Sequence, residues 1–356
     1  METLALIATV KILLLFALSF VITVVCTPIM THFLYKYQLK KSVRVDMEST
    51  PIVATLHKHK EGTPTMGGII IWGTVALLAF VFHYASLIFD APLFENASFL
   101  SRSETWVPLG ILLLSAVIGL VDDIFNIKKM GANGGGLRMW HRLFLFTFIA
   151  SLATYWFYFK LDWTILHIPF YGNIDIGLWT IPLFMLVIIS TAFSVNETDG
   201  LDGLAGGVVL AAFISYVGIA FFQGNYQMAT FASAISGALL AFLWFNIHPA
   251  RFFMGDTGSM SLGVTLGVIA LLTNTIWLLP FLGFILVLES LSVLIQWTSK
   301  YLRNGKKVFK AAPIHHHFEA IGWEEPKVVM RFWIISGVMC VLGLVLYLLD
   351  ASYLAL

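Results

Sequence analysis

The sequence predicts an all-α, polytopic membrane protein of about ten transmembrane helices, with both termini on the outer (periplasmic or extracellular) side. Three observations predict it. Of 356 residues, 59% are hydrophobic and only 12% are charged, whereas a soluble domain carries about 25% charged residues. Long runs without Asp, Glu, Lys or Arg recur along the chain, and a spanning helix needs ~20 mostly apolar residues. The basic residues collect in alternate loops, the pattern of segments retained on the cytoplasmic side.

The uncharged runs are Ile12–Tyr35, Gly62–Phe89, Thr105–Val121, Leu143–Phe159, Ile176–Asn196, Gly203–Ala250, Thr257–Ser299 (interrupted only by Glu289) and Phe332–Leu349. The first is too long for the core of a cleavable signal, so it reads as a retained span. Gly203–Ala250 divides near Gln223-Gly224-Asn225. Thr257–Ser299 divides between Asn274 and Pro280, where proline disfavours a continuous helix. Six single spans and two pairs give ten, an even number. Of the 21 basic residues, 18 lie in or beside the odd-numbered loops, which are therefore cytoplasmic. Trp106, Tyr171 and Trp179 fall where an outer aromatic belt would lie.

Residues 1–356 form one integral membrane domain whose site is made by cytoplasmic loops. A net charge of +1 argues against a nucleic-acid partner. Cys26 and Cys340, both in apolar runs, give neither a disulfide framework nor a metal spacing. The sequon Asn96-Ala97-Ser98 on the outer side reads as chance.

The chemistry-bearing residues concentrate on one face. Asp122, Asp123, Asp199, Asp202 and Asp256 all lie at predicted helix ends on the cytoplasmic side. Any one of them could be a cap or a solvated loop residue. Five together repel one another unless a cation sits among them, and Mg²⁺, with its preference for hard oxygen ligands and substrate phosphates, fits best. Glycines flank these carboxylates. Gly206 and Gly207 read as helix packing, whereas Gly255 and Gly258, bracketing Asp256, read as places where backbone approaches an anion.

His315-His316-His317 follows a proline. Adjacent side chains diverge, so the run suits phosphate oxygens or a structural role near the site better than a metal cage. Lys60 stands at the membrane edge and reads as a substrate contact. Lys306, Lys307 and Lys310 read as orientation signals. Glu289, inside the ninth span, is a functional candidate by position, and reads as a hydrogen-bonding partner for Ser290, Ser292 or Gln296. The residues by themselves lead to a metal-dependent enzyme acting on phosphates from the cytoplasmic side. An ion-coupled transporter is the rival, disfavoured because transporter sites lie near the midplane on broken helices.

At these residues the chain resembles the phospho-N-acetylmuramoyl-pentapeptide transferase family. Lys60 with Gly62-Thr63-Pro64-Thr65-Met66-Gly67-Gly68 is similar to the family's first motif, and Asp122-Asp123 to its aspartate pair. Asn196-Glu197-Thr198-Asp199-Gly200-Leu201-Asp202-Gly203 resembles its nucleoside loop. Phe253-Met254-Gly255-Asp256-Thr257-Gly258-Ser259 resembles its metal loop. Ala312-Pro313-Ile314-His315-His316-His317-Phe318-Glu319, continued by Gly322-Trp323-Glu324-Glu325-Pro326-Lys327, resembles its histidine motif. The resemblance covers nearly the whole chain. Glu197 departs from it, standing where the family has an apolar residue, and Asn126 stands where a lysine is expected. The glycine-rich stretch 131–136 obscures the register beyond it, so that either Arg138 or Arg142 replaces a family lysine.

The resemblance implies Mg²⁺-dependent transfer of phospho-MurNAc-pentapeptide from UDP-MurNAc-pentapeptide to undecaprenyl phosphate. The products would be UMP and undecaprenyl-diphospho-MurNAc-pentapeptide (lipid I), in the first membrane step of peptidoglycan synthesis, at the cytoplasmic face of a bacterial inner membrane. A related transferase using UDP-GlcNAc is the alternative. Asp256 would ligate the metal, with Asp122 and Asp123 acting near the lipid phosphate, as a base or as an anchor behind the ligands. Asp199, Gly200, Leu201, Asp202 and Phe253 would hold the uridine, the Phe253 ring stacking on the base. Lys60, Thr65, Asn196, Asn246 and Gly255 would line the same cleft, and His315, His316 and His317 would lie by the phosphates or sugar. Gly203-x-x-x-Gly207 has the spacing of a helix-association motif, which leaves a homodimer open.

Overall fold

The computed structural model describes residues 2–40, 60, 62–89, 98–100, 103–130 and 137–355. The sequon at Asn96, the basic residues Lys41, Arg44, Lys58 and Arg102, and the stretch 131–136 lie outside the described residues. The chain is nearly all helix. In order, α1 spans Glu2–Lys36, α2 Ile69–Ile88, α3 Ser103–Ile127, α4 Met139–Lys160, α5 Thr180–Thr198, α6 Leu204–Phe222, α7 Tyr226–Asn246 and α8 Gly255–Leu272. A short α9 (Leu279–Leu282) precedes α10 (Phe284–Leu302), followed by α11 (Ile314–Ala320) and α12 (Glu325–Ala355).

Among the described residues, nine helices are long and apolar enough to cross a membrane. A tenth candidate is the broken pair Ile276–Leu282 and Phe284–Leu302, bent by 86°. The protein is thus a multi-pass membrane protein. The expected division of Gly203–Ala250 occurs at Gly224, whose φ of +73° turns the chain, and the Asn225 side chain accepts the Met228 N–H to start α7. The expected division of Thr257–Ser299 also occurs, but the second half of that run is not one straight helix: Pro280 opens α9 and the chain breaks at Gly283. Two short strands depart from the all-helical expectation. Ile165–Ile168 and Gly172–Asp175 pair antiparallel, Ile165 opposite Asp175. Asp350 near the end of α12 secures this hairpin by accepting the Phe170 N–H and bonding His167 Nε2, each at 2.6 Å. Tyr171 and Trp179 are exposed beside it.

The core is built around α8, every residue of which is buried. It packs on α3 and α5, and its small residues permit backbone contact. A methyl group on Gly263 would lie 2.8 Å from the Ala192 Cα, and one on Gly119 of α3 would collide with the Asp256 carbonyl oxygen. The helix that begins beside Asp256 is therefore the most enclosed of the described helices. Other glycines serve packing in the same way. Gly206 faces Leu243, Gly207 faces Trp333, and Gly258 faces Gly68 and Met254. Gly258 thus packs closely on Gly68 and Met254. The Gly203-x-x-x-Gly207 face is covered by Trp333 of the same chain, whose Nε1 donates to the Gly203 carbonyl at 3.1 Å.

Candidate active site

Five segments meet where α8 starts. The run from Pro64 to Gly68 is tied to the loop before α8 by three backbone bonds: Phe253 N–H to Pro64 O, Gly67 N–H to Phe253 O and Gly68 N–H to Met254 O, each 2.8 Å. Gly67 and Gly68 are required here, since side chains on them would collide with Phe252 and with Gly258. Asp123, at the end of α3, accepts the N–H groups of Asp256 (3.1 Å) and Thr257 (3.0 Å). It therefore caps α8 and holds Asp256 in place. Gly255, with φ of +75°, makes the turn into the helix. Its missing Cβ would lie 2.6 Å from Asp123 Oδ2 and 2.8 Å from Thr65 Oγ1.

The centre of the cluster is Arg142, from the first turn of α4. Its Nε donates to Asp122 Oδ2 at 2.9 Å, Nη2 to Asp256 Oδ2 at 2.9 Å and Nη1 to Asn196 Oδ1 at 3.2 Å. Asn196 Nδ2 donates to Asp256 Oδ1 at 2.8 Å, and the Leu137 N–H donates to Asp122 Oδ1 at 2.6 Å. Asp122, Asp123 and Asp256 thus form one group, and Arg142, not Arg138, is the basic residue that joins it. Glu197 lies within electrostatic reach of Arg142 and His315 and also of the acidic Glu289 and Asp256. Asn126 is fully buried at the end of α3.

A second cluster surrounds Lys60. Its ammonium lies 2.7 Å from Asp202 Oδ1 and 2.5 Å from Glu325 Oε1. His248 Nδ1 is 3.0 Å from Asp202 Oδ2, and Glu325 Oε1 also accepts the Asp202 N–H at 2.7 Å. Burial pushes the Asp202 carboxyl upward, but the Lys60 ammonium overrides it and holds the group below the usual carboxylate range. Phe253 is half-buried, its ring centroid 5.9 Å from Lys60 Nζ. Leu201 is buried, Gly200 exposed and Asp199 partly exposed at the end of α5. Asn246 spends its side chain on backbone, accepting the Gly203 N–H (3.0 Å) and donating to Phe252 O (2.8 Å). It joins the α5–α6 and α7–α8 loops.

The three histidines separate. His315 is fully buried, its Nδ1 2.9 Å from Glu289 Oε2. The partner of Glu289 is therefore the histidine motif. Ser290 donates to Ser194 instead, and Gln296 bonds the backbone of Val308 and Phe309. Burial would lower the His315 pKa, and the Glu289 carboxylate overrides it, so the imidazole titrates above its ordinary range. His315 Nε2 has no partner among the described residues and points at Gly200, where a methyl group would collide with it. His316 bonds Glu319 at 2.8 Å, and His317 Nδ1 accepts the Lys310 N–H at 3.2 Å. Neither the Lys60–Glu325 pairing nor His248 is marked as a site feature by the sequence. Glu325 stands within the continuation of the histidine motif, and its place before a proline at a helix start is the available signal.

Two places could take a divalent cation. Asp202, His248 and Glu325 bring one ligand atom each within 4.8 Å of one another, but the Lys60 ammonium already bridges two of them. Around Asp256 the donors are hard oxygens, from Asp122, Asp256 and the Asn196 amide, and Thr65 Oγ1 nearby is buried without a partner among the described residues. That donor set fits Mg²⁺. Each place is thus occupied by a basic side chain, Lys60 in one and Arg142 in the other.

Comparison with known proteins identifies relatives of the chain. Residues 105–274 match the model of glycosyl transferase family 4, a range that includes Asp122, Arg142, Asn196, Asp202 and Asp256. Residues 60–71 match signature 1 of phospho-N-acetylmuramoyl-pentapeptide-transferase. The proteins of that name from Chloroflexus aggregans and Thermodesulfovibrio yellowstonii are each 36% identical to the chain. The first aligns over 96% of this chain and 91% of its own length, the second over 94% and 92%. The protein of that name from Anoxybacillus flavithermus is 36% identical over 92% of the chain and 95% of its own length.

Proposed function

The chain belongs to the phospho-N-acetylmuramoyl-pentapeptide-transferase family of membrane phosphotransferases, and we propose that it transfers phospho-MurNAc-pentapeptide from UDP-MurNAc-pentapeptide to undecaprenyl phosphate, releasing UMP. The site faces the cytoplasm of a bacterial inner membrane, and both termini lie outside. The observation that carries the reading is the junction of two charge clusters at the start of α8. One holds Asp122, Asp256 and Asn196 around Arg142, and the other holds Asp202 and Glu325 around Lys60.

The physical task is to bring two phosphate anions together. Catalysis is then mostly positioning and charge neutralisation. Asp256, with Asn196 and Asp122 beside it, would hold Mg²⁺. When bound, the ion neutralises the diphosphate and stabilises the departing UMP. Asp123 fixes Asp256 through the backbone of α8. Lys60 and Phe253 form a cation-and-ring surface suited to a pyrimidine base, with Asp202 setting the position of Lys60. His315, oriented by Glu289, directs Nε2 across Gly200 toward the sugar or phosphates. The lipid phosphate is already largely ionised at neutral pH, so no base is required, and Asp122, itself an anion, acts through the cation it holds, Arg142.

The test is direct. Purified protein in detergent, given both substrates, releases UMP with Mg²⁺ and not in EDTA. Full activity in EDTA, or an Asp256→Asn variant as active as the parent, overturns the metal role. Turnover of UDP-GlcNAc in place of the muramoyl substrate overturns the substrate assignment.

A further inference from the structure

Arg142 occupies the position toward which the acidic oxygens converge. It touches both carboxylates of its cluster and the Asn196 amide oxygen. The second oxygen of each carboxylate is also engaged, Asp122 Oδ1 by Leu137 N–H and Asp256 Oδ1 by Asn196 Nδ2. A guanidinium is always charged and presents its donors in a rigid fork. Its side chain is 13% exposed and is the least enclosed member of its ion pairs with Asp122 and Asp256. A divalent ion on Asp256 would stand beside this permanent cation, and the two repel. The guanidinium has an alternative partner. A diphosphate offers paired oxygens that match the fork bidentately.

We propose that Arg142 is a resident counter-cation that competes with the divalent ion for Asp256, and that a nucleoside diphosphate relieves the competition by taking the guanidinium onto its own oxygens. Metal and nucleotide then bind cooperatively. The diphosphate moves Arg142 off Asp256, and the ion that enters neutralises the diphosphate further. Linkage makes the effect reciprocal, so the metal tightens the nucleotide by the same factor. The inference rests on the assignment of Asp256 as the metal ligand.

The experiment measures Mn²⁺ binding by electron paramagnetic resonance on the full-length protein in detergent. It is run with and without UDP, after subtracting the Mn²⁺ held by UDP alone. The parent binds Mn²⁺ weakly by itself and on the order of ten-fold or more tightly with UDP. Arg142→Gln binds Mn²⁺ more tightly than the parent when UDP is absent and gains less from UDP, because only the direct attraction between ion and diphosphate remains. Arg142→Lys, which keeps the charge but loses the fork, lies between them and guards against a misfolded glutamine variant. Parent binding that ignores UDP, or variants that keep the parent's full UDP dependence, overturns the competition while leaving the metal assignment standing. Unchanged Mn²⁺ binding by Asp256→Asn overturns that assignment, and the inference with it.

Discussion

Replacing Lys60 by methionine tests the second cluster most sharply. The ammonium bridges two carboxylates at 2.7 and 2.5 Å, and their side chains are only 4% and 7% exposed. At 2.7 Å a unit pair is worth about 6 kcal/mol at an effective dielectric of 20. The desolvation of three ions offsets much of that. Methionine keeps the length of the side chain but leaves Asp202 and Glu325 buried together without their cation. Removing one partner of a buried pair costs about 3–5 kcal/mol. The variant should therefore melt well below the parent in detergent at pH 7. The pH dependence gives the sign. Asp202 titrates below its ordinary range in the parent, so its contribution is present above about pH 4 and is lost as pH falls through the depressed value. Without Lys60, burial acts on Asp202 against only the weaker Ala250 and His248 bonds, so its pKa should rise and the parent's loss of stability on acidification should shrink. Combining Lys60→Met with Asp202→Asn should recover part of the loss, because the pair is coupled. A Lys60→Met protein that melts with the parent at pH 7 would refute the reasoning.

The remaining predictions concern neighbouring elements. Glu289→Gln removes the carboxylate that holds His315 above its ordinary pKa. The parent's melting temperature should fall as pH rises through that raised value, from a plateau below about 6.5, and the variant should lose most of that fall. Gly200→Ala drives a methyl group against His315 Nε2 and should slow UMP release by on the order of ten- to a hundred-fold through misplacement. Gly207→Ala collides with the Trp333 ring, away from the cleft. It should cost about 1–3 kcal/mol of stability through overpacking and leave the Michaelis constants unchanged. Asp123→Ala removes both acceptors that cap α8. It should lower stability by about 1–2 kcal/mol and slow UMP release more than it lowers the melting temperature.

Most of the architecture is legible in the sequence because apolar length and charge distribution report directly on membrane crossing. Glu289, the single charge in the Thr257–Ser299 run, is visible as an anomaly. Its partner is not, because His315 lies 26 residues away beyond a charged loop. Arg142 is hidden differently. The glycine-rich stretch 131–136 carries no periodicity that would fix register, and only α4 starting at Met139 places residue 142 toward the carboxylates. The hairpin Ile165–Asp175 is short and bordered by spans, so its alternating residues are indistinguishable from a loop. The bend at Gly283 is foreshadowed by Pro280, but its 86° angle depends on tertiary packing. The roles of the glycines cannot be separated by sequence, since site and packing make the same demand for a missing Cβ.

The enclosure of α8 also bears on ionic selectivity. Asp256 rides on the one described helix that has no face toward lipid or water, and that helix is set by backbone contact at Gly119 and Gly263. Backbone contact of this kind fixes where the Asp256 Cα sits and leaves its side-chain torsions as the means of adjustment. For a cation held there, interior glycines far from the ion would set the backbone part of the tolerance of size. Mg²⁺ demands short, near-octahedral oxygen contacts, whereas Ca²⁺ takes longer and looser ones. The bundle interior therefore acts as the calliper of the site. A methyl group added at Gly263 would widen or narrow the set of ions accepted without touching a ligand.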